Sequence, residues 1–347
     1  MLDNQKILEQ HDCAKDLTLA GLQCEQALYK AEIMCGDNDG RRIDNIVVAG
    51  MGGSALSALF VKSWLKSELK VPFEIVKTYD LPASVSKNTL VIASSYSGNT
   101  EETLSCLDQA KKRNAQIAVI ASGGKLIEDA KSNDIAHIIL PNGFQPRMAM
   151  IDTLCSIVSL LTHFKLISDC KINEIAATAD WLKSESAQWS GDVPTNNNYA
   201  KQLAYWALGK SAVFFAGTFA YPVAYKFKTC ANETAKNLSF LCEYPEFNHN
   251  EILGWTSHPI EKPYAIFDVV SDYEHPQILK RFEISDRLLS GQRPKATTIR
   301  LEGNTPIAQL LWGSILADFV CIYLAALNGV NPMSVAVIEK LKIDLVK

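Results

Sequence analysis

The sequence predicts an α/β protein of two tandem domains, each a mainly parallel sheet flanked by helices. Short continuous apolar runs alternate with stretches of helical period along both halves of the chain, a pattern typical of parallel strands covered by helices on both faces. The halves also resemble each other, because NIVVAGMGGSALSALF and SAVFFAGTFAYPVAYKF share a strand, an Ala-Gly turn and an entering helix. At about 150 residues per domain, the 347 residues are enough for two such domains.

Apolar runs and helix-period stretches define the elements of each half. In the first half the predicted strands are Ile46–Ala49, Phe73–Val76, Leu90–Ala93, Ile117–Ala121 and Ile135–Leu140, and the predicted helices are 55–69, 101–113 and 125–132. In the second half the predicted strands are Ala212–Ala216, Leu238–Cys242, Tyr264–Val270 and Thr297–Leu301, and the predicted helices are 221–236, 276–289 and 306–327. A polar segment rich in Asn, Gly and Pro, 189–198, is the predicted linker. The predicted organisation is therefore a helical lead-in (1–40), a first domain (41–188) and a second domain (199–347).

The composition excludes several classes of protein. Of the residues, 48% are apolar and 21% are charged, and the formal net charge is −4. These values argue against a disordered or fibrous chain and give no reason to expect a nucleic acid or an anionic membrane as partner. The polar N-terminus does not resemble a signal peptide. The longest uncharged stretch, 319–338, is interrupted by Asn, Gly and Pro and has fewer uniformly apolar residues than the roughly 20 that span a bilayer. We expect a protein of the cytoplasm.

Nine cysteines are scattered along the chain without a Cys-x-x-Cys pair. An odd, scattered set in a long chain is typical of reduced core thiols rather than of a disulfide framework or a zinc site. The sequence also contains no His-x-x-His or His-Glu-x-x-His motif and no Cys/His cluster. We therefore expect no metal.

Two strand-to-helix junctions of the first half have the chemistry of a phosphate site. GMGGS at 50–54 follows the first strand, and SSYSGNT at 94–100 follows the third. Glycines let the backbone approach an anion, and the N–H groups at a helix start point toward it. The clustered hydroxyls of the second junction can bind several phosphate oxygens without a competing positive charge.

Two other interpretations of these junctions stay open. The Ser and Thr side chains could cap the following helix, with Glu101 or Glu102 completing a capping box. The spacing Gly50-x-Gly52-x-x-Ala55 also fits a dinucleotide fingerprint, which makes a nucleotide-dependent oxidoreductase an alternative. That fingerprint does not explain the hydroxyl cluster, and Asp80 lies farther along the chain than the ~20 residues expected for a ribose contact.

Six stretches carry a resemblance to a known family. They are GMGGSA at 50–55, SYSGNTEET at 95–103, QPR at 145–147, NETAK at 232–236, PEFNHNEILGW at 245–255 and GVNP…IEKLK at 329–342. Together, and in this order, they resemble the bifunctional phosphoglucose/phosphomannose isomerase family of the sugar-isomerase (SIS) superfamily. SYSGNTEET alone marks a SIS domain, whereas its combination with NETAK and NHNEI is more specific.

The resemblance implies two SIS domains, a homodimer with active sites near its interface, and isomerisation of aldose and ketose 6-phosphates without metal or cofactor. It implies that the phosphate is bound by Ser54, Ser95, Ser97 and Thr100, with Gly52 and Gly53 lining the approach. It also implies an active-site arginine at Arg147, a catalytic base at Glu233, and a ring-opening pair at His249 and Lys342. A threonine that the family carries seven residues before its lysine is Val335 here, which leaves mannose 6-phosphate open as a second substrate.

The chemistry of glucose 6-phosphate isomerisation fits these residue types. The sugar ring must open, a proton must move between C2 and C1, and the enediolate charge must be stabilised. A carboxylate such as Glu233 can serve both carbons in turn if the two domains bring it to the ligand, and a fixed cation such as Arg147 can stabilise the enediolate. An imidazole can act as acid or base near neutral pH, which suits ring opening. A non-catalytic SIS sensor of sugar phosphates is the second hypothesis.

Overall fold

The computed structural model describes residues 1–36, 38–257 and 263–345. In chain order the helices are α1 (Gln5–Glu9), α2 (Cys13–Gln26), α3 (Gly52–Trp64), α4 (Glu101–Lys112), α5 (Gly124–Ser132), α6 (Met150–His163), α7 (Cys170–Ala176), α8 (Ala179–Ala187), α9 (Tyr199–Ala207), α10 (Tyr221–Glu233), α11 (Glu251–Gly254), α12 (Pro276–Leu288), α13 (Pro306–Asn328) and α14 (Ala336–Leu345). The strands are β1 (Asn45–Ala49), β2 (Phe73–Val76), β3 (Thr89–Ser94), β4 (Gln116–Ala121), β5 (Ala136–Ile139), β6 (Ser211–Ala216), β7 (Ser239–Glu243), β8 (Tyr264–Val270) and β9 (Thr297–Arg300).

The chain forms two compact units. The first unit is Leu22–Lys183, and the second is Met1–Gly21 together with Ser184–Lys347. Residues 1–21 therefore group with the second unit. So does the segment predicted as a linker, 189–198, where Lys201 Nζ donates to the carbonyl oxygens of Gly191 and Val193 at 2.8 Å. The predicted domain limits stay a prediction.

The first unit contains a parallel sheet in the order β2-β1-β3-β4-β5. All strands predicted for this half are confirmed, each within one residue at either end. The predicted helix 55–69 is wrong at both ends, because α3 begins at Gly52 and ends at Trp64. The residues from Leu65 to Leu69 continue as turns.

The second unit contains a parallel sheet in the order β7-β6-β8-β9. The predicted strands are again confirmed, with β7 shifted by one residue. The helix predicted to end at Lys236 ends instead at Glu233. Asn232 accounts for this end, because its side-chain oxygen accepts hydrogen bonds from the N–H and the hydroxyl of Ser239 at 3.1 and 3.0 Å, which turns the chain into β7.

Helix α13 is the core helix of the second unit. Its start is capped by the Thr305 hydroxyl, which accepts from the N–H of Ala308 at 3.2 Å, and its end is closed by Gly329 at φ 65°. Of the described residues, only this helix is long and apolar enough to cross a membrane, but 94% of its most apolar window is buried inside the protein. The burial marks α13 as an interior helix of a folded domain.

A buried ion pair joins α10 to α13. Lys226 Nζ lies 2.9 Å from a carboxylate oxygen of Asp318, and both side chains are 1% exposed. Cys230 donates its thiol to the other oxygen of Asp318 at 3.1 Å. Burial lowers the pKa of Lys226, but the charges of Asp318 and Cys230 and the hydrogen bonds to both together outweigh burial and raise this pKa above its usual value. Lys226 therefore keeps its positive charge, and the ion pair links the two helices.

We predict that Lys226→Met destabilises the protein by about 3–5 kcal/mol, because it leaves the Asp318 carboxylate buried without its cation. The double variant Lys226→Met/Asp318→Leu should recover most of this loss, since it removes both charges. Urea unfolding of the wild type, the two single variants and the double variant measures the coupling. A single variant within 1 kcal/mol of the wild type would contradict the prediction.

Candidate active site

The first sheet has its switch point between β1 and β3. The chain leaves β1 for β2 on one side and then returns to β3 on the other. In open parallel sheets a crevice opens at the carboxyl ends of two such strands, and ligands bind there. The two junctions that the sequence singled out, 50–54 and 94–100, follow these two strands.

Three hydroxyls gather in the second junction. The hydroxyl oxygen of Ser95 lies 2.7 Å from that of Thr100 and 3.4 Å from that of Ser97. Ser95 is 4% exposed, whereas Ser97 is exposed. Thr100 occupies the N-cap position of α4, yet its side chain makes no capping hydrogen bond. The capping interpretation is therefore wrong for Thr100, whose hydroxyl belongs to the cluster.

The hydroxyl junction is held rigidly by the loop between β4 and α5. Gly98 has φ 69°, and a Cβ on it would lie 1.8 Å from the carbonyl oxygen of Gly123. The Gly98 carbonyl accepts from the N–H of Leu126 at 3.0 Å, and the Ser122 hydroxyl donates to the carbonyl of Tyr96 at 2.6 Å. Only glycine fits at position 98, and the junction is fixed before any ligand arrives.

The glycine junction after β1 lies against the segment that carries Arg147. A Cβ on Gly53 would lie 2.8 Å from the carbonyl oxygen of Pro146 and 3.6 Å from the Cα of Arg147. Arg147 is 9% exposed and Ser54 is 7% exposed. A Cβ on Gly52 would meet nothing within 4 Å. The first unit thus brings Gly52, Gly53, Ser54 and Arg147 to the crevice edge that also carries the hydroxyl cluster.

Gln26 anchors the Arg147 segment, and sequence reasoning missed it. Its side-chain nitrogen donates to the carbonyl of Met148 at 2.7 Å, and its side-chain oxygen accepts from the N–H of Asp152 at 3.3 Å. Gln26 is 4% exposed. A single glutamine therefore spans both ends of the turn that leads into α6, and no local motif marks such a residue.

Asp152, in the first turn of α6, is 3% exposed, and burial raises its pKa from 3.8 to about 7. Burial also raises the pKa of its neighbour Tyr29 to about 12 and raises that of Cys155. These two neighbours stay uncharged below pH 8. The Asp152 carboxyl group therefore titrates near neutral pH without a compensating change in either of them.

We predict that the wild type loses more stability than Asp152→Asn as the pH rises from 4 to 8, while the buried Asp268, whose pKa is also raised to about 7, contributes equally to both proteins. Because the folded pKa lies above the unfolded one, the folded state keeps a proton that the unfolded state releases in this window. The difference between the two pH profiles should be on the order of 4 kcal/mol. Urea unfolding at several pH values measures it, with the exposed Asp108→Asn as control. Parallel profiles for the wild type and Asp152→Asn would contradict the prediction.

Glu233 and His249 belong to segments that pack on opposite faces of the second sheet. Glu233 ends α10, beside the start of β7, since the preceding Asn232 bonds Ser239. His249 ends a short 3₁₀ turn, Glu246–His249, that follows the far end of β7. Helix α10 stacks Phe227 on Phe214 of β6, whereas this turn packs Phe247 on the next residue, Phe215, and successive residues of a strand point to opposite faces of the sheet. The second unit therefore does not bring the predicted base and the predicted ring-opening histidine together.

The turn that carries His249 is anchored to α12. Asn248 donates to the hydroxyl of Ser285 at 2.9 Å and accepts from Arg281 at 2.9 Å. Phe247 is 1% exposed and packs on Phe215 at 4.8 Å between ring centroids. His249 itself is exposed. The imidazole is thus presented to solvent from a fixed backbone.

The start of the C-terminal segment lies beside the end of α10. Asn328 donates to the carbonyl of Ala235 at 3.0 Å, and Lys236 Nζ lies 3.3 Å from the carbonyl of Pro332. Val335 then accepts the first backbone bonds of α14, from Ile338 and Glu339. Lys342 belongs to α14, but its side chain lies outside the described part of the structure. Within residues 1–36, 38–257 and 263–345, no group of three or more His, Cys, Asp or Glu side chains could hold a metal ion.

Comparison with known proteins identifies both units. Residues 41–163 match the SIS domain family, and residues 196–345 match the bacterial phospho-glucose isomerase C-terminal SIS domain. In structure, the chain resembles the C-terminal domain of glucosamine-fructose-6-phosphate aminotransferase from Francisella tularensis, with a TM-score of 0.67, 15% identity, and coverage of 93% of this chain and 98% of that one. At this identity the likeness shows the fold alone.

Relatives of similar length are more informative. A bifunctional phosphoglucose/phosphomannose isomerase of Caldicellulosiruptor bescii is 33% identical over 305 residues, which cover 86% of this chain and 89% of the relative. One of Aquifex aeolicus is 30% identical over 303 residues, which cover 87% and 90%. The chain belongs to the bifunctional phosphoglucose/phosphomannose isomerase family.

Proposed function

We propose that this protein interconverts glucose 6-phosphate and fructose 6-phosphate, and also mannose 6-phosphate, through a cis-enediol(ate). The observation that carries the proposal is the hydroxyl cluster of Ser95, Ser97 and Thr100 at the switch point of the first sheet. These hydroxyls are held on a rigid loop, and that of Thr100 takes no part in helix capping. Such a cluster beside a glycine junction suits one phosphate monoester.

The proposed mechanism divides binding and chemistry between different parts of the chain. Ser54, Ser95, Ser97 and Thr100 bind the phosphate, with Gly52 and Gly53 allowing close approach. Glu233 takes the proton from C2 of the opened aldose and returns it to C1, while a proton passes between the two oxygens to complete the ketose. Arg147 stabilises the enediolate charge. His249 and Lys342 open the ring, one at the ring oxygen and the other at the C1 hydroxyl.

The positions of two of these residues support a homodimer. Glu233 and His249 belong to one unit, but their segments pack on opposite faces of its sheet. Both must reach the same few atoms of one sugar. We therefore propose that each active site combines the Glu233 of one chain with the His249 of a second copy.

We place this enzyme in the cytoplasm.

We predict that Glu233→Gln lowers kcat by ~10²–10⁴ and leaves KM and folding nearly unchanged, because an amide cannot accept the C2 proton. Thr100→Val should instead raise KM, because it removes a phosphate ligand. The exposed Glu283→Gln should behave as the wild type. The assay offers fructose 6-phosphate alone and quantifies both aldose products.

Near wild-type turnover of Glu233→Gln would remove this residue from the mechanism. A wild type that binds fructose 6-phosphate and forms neither aldose would instead establish a sugar-phosphate sensor. The ratio of the two aldoses measures how far Val335 restricts the second epimer.

We predict that two inactive variants, Glu233→Gln and His249→Ala, regain activity when their chains are mixed and allowed to exchange subunits. A hybrid dimer keeps one site with the intact Glu233 of one chain and the intact His249 of the other. Random pairing at equal amounts makes half of the dimers hybrid, so about a quarter of the wild-type activity should return. Mixtures that stay inactive although hybrids form would show that both residues act from one chain.

A further inference from the structure

The second sheet repeats the switch point of the first. Its order, β7-β6-β8-β9, places the equivalent crevice between the carboxyl ends of β6 and β8. Two loops meet there: residues 217–220, which lead into α10, and residues 271–275, which lead into α12. In the first unit, the loops at this position carry the glycine junction and the hydroxyl cluster.

A carboxylate of the chain itself occupies this second crevice. Glu274 accepts a hydrogen bond from the N–H of Ala220 at 2.8 Å and another from the N–H of Phe219 at 3.2 Å, one on each oxygen. Its side chain comes so close to Gly217 that a Cβ there would lie 2.4 Å from the carboxyl carbon. Glu274 is 5% exposed. The glycine and the two N–H groups therefore form a fitted cradle for one anion.

The start of α10 needs such a partner. The helix begins at Tyr221 after an N-cap residue, Ala220, that has no side-chain acceptor, and Pro222 follows in its first turn. Helix starts leave several N–H groups without intrahelical partners and carry a partial positive charge. An anion at this point accepts hydrogen bonds from these N–H groups and balances the partial charge, whether the anion belongs to a ligand or to the protein.

The loop that delivers Glu274 is fixed by its own contacts. The Ser271 hydroxyl accepts from the N–H of Tyr273 at 3.0 Å and lies 2.6 Å from the side-chain oxygen of Gln309 on α13. The Tyr273 hydroxyl donates to the carbonyl of Asn304 at 3.0 Å. These bonds hold the loop on the N-terminal side of the glutamate, and on its other side the Nδ1 of His275 caps α12 by accepting from the N–H of Gln277 at 3.1 Å. The loop therefore holds the carboxylate in the crevice.

We propose that the second unit contains a phosphate-type oxyanion site that Glu274 closes from within. The site keeps the parts that bind an external anion in this fold: the switch point, a glycine that admits a close approach and the N–H groups of a helix start. Glu274 supplies the anion, so the native chain binds phosphate in the first unit only. Removing this side chain opens a second site, which takes inorganic phosphate or another tetrahedral oxyanion.

The test compares full-length wild type, Glu274→Ala and Glu274→Gln by thermal unfolding. Inorganic phosphate replaces chloride at constant ionic strength. In chloride, Glu274→Ala should melt roughly 2–8 °C below the wild type, as expected for the loss of a helix cap in a domain of this size. Phosphate should raise the Tm of Glu274→Ala by more than it raises that of the wild type, because it fills the vacated cradle.

Glu274→Gln is the matched control, because it keeps the crevice filled with a side chain of the same size. It should show the phosphate dependence of the wild type. Calorimetric titration should find one additional phosphate bound per chain of Glu274→Ala. Equal phosphate dependence of all three proteins, with no additional phosphate bound, would overturn the proposal.

Two further results also test the proposal. If Glu274→Ala is unfolded in chloride, recovery of its near-ultraviolet circular dichroism in phosphate supports the proposal, and no recovery contradicts it. Gly217→Ala should lower the Tm of the wild type, because its Cβ displaces the carboxylate, but should have little effect beside Glu274→Ala. All of these measurements report on binding or on stability. Their result therefore does not depend on whether the protein is an isomerase.

Discussion

The free N–H groups at the start of a helix beside a switch point are the constraint on which both halves of this protein depend. A βα unit that turns sharply after its strand directs these groups into a crevice, where an anion or a hydrogen-bond acceptor must meet them. In the first unit, Thr100 does not cap the helix that follows it, and its hydroxyl joins Ser95. In the second unit, Glu274 bonds the helix start directly. One architectural requirement thus accounts for both the proposed phosphate site of the first unit and the carboxylate that occupies the same position in the second.

Much of the fold could be predicted because strands of a covered parallel sheet are apolar on both faces. The run at 264–270 is predicted to the residue, and β1 to within one. Helix ends were less accurate, because contacts distant in sequence decide them. Helix α10 stops at Glu233 since Asn232 bonds the first residue of β7, and the sequence pattern of 221–236 contains no sign of this bond.

The parts of the site also differ in whether they depend on residues close together in sequence or on contacts distant in sequence. The hydroxyl junction could be found because its members lie within a few residues of one another. Gln26 could not be found, since its partners, Met148 and Asp152, lie more than 120 positions away. The separation of Glu233 from His249 depends on the face of the sheet on which each segment packs. Helix α10 packs on the face of Phe214 and the His249 turn on the face of Phe215, and a family resemblance that assigns both residues to one site does not show this.

Helix α10 explains why the second unit suits a catalytic carboxylate. A base that serves two neighbouring carbons in turn must be held within a fraction of an ångström, which requires a rigid support. The helix is fixed at its start by Glu274, in its middle by the pair of Lys226 and Asp318, and at its end by Asn232. Because all three contacts are polar and directional, they fix the rotation of α10 about its axis and its position along the sheet, as well as its distance from the sheet. Apolar packing alone would hold the rotation and the position of the helix less firmly. The proposed base at Glu233 would then be placed less precisely.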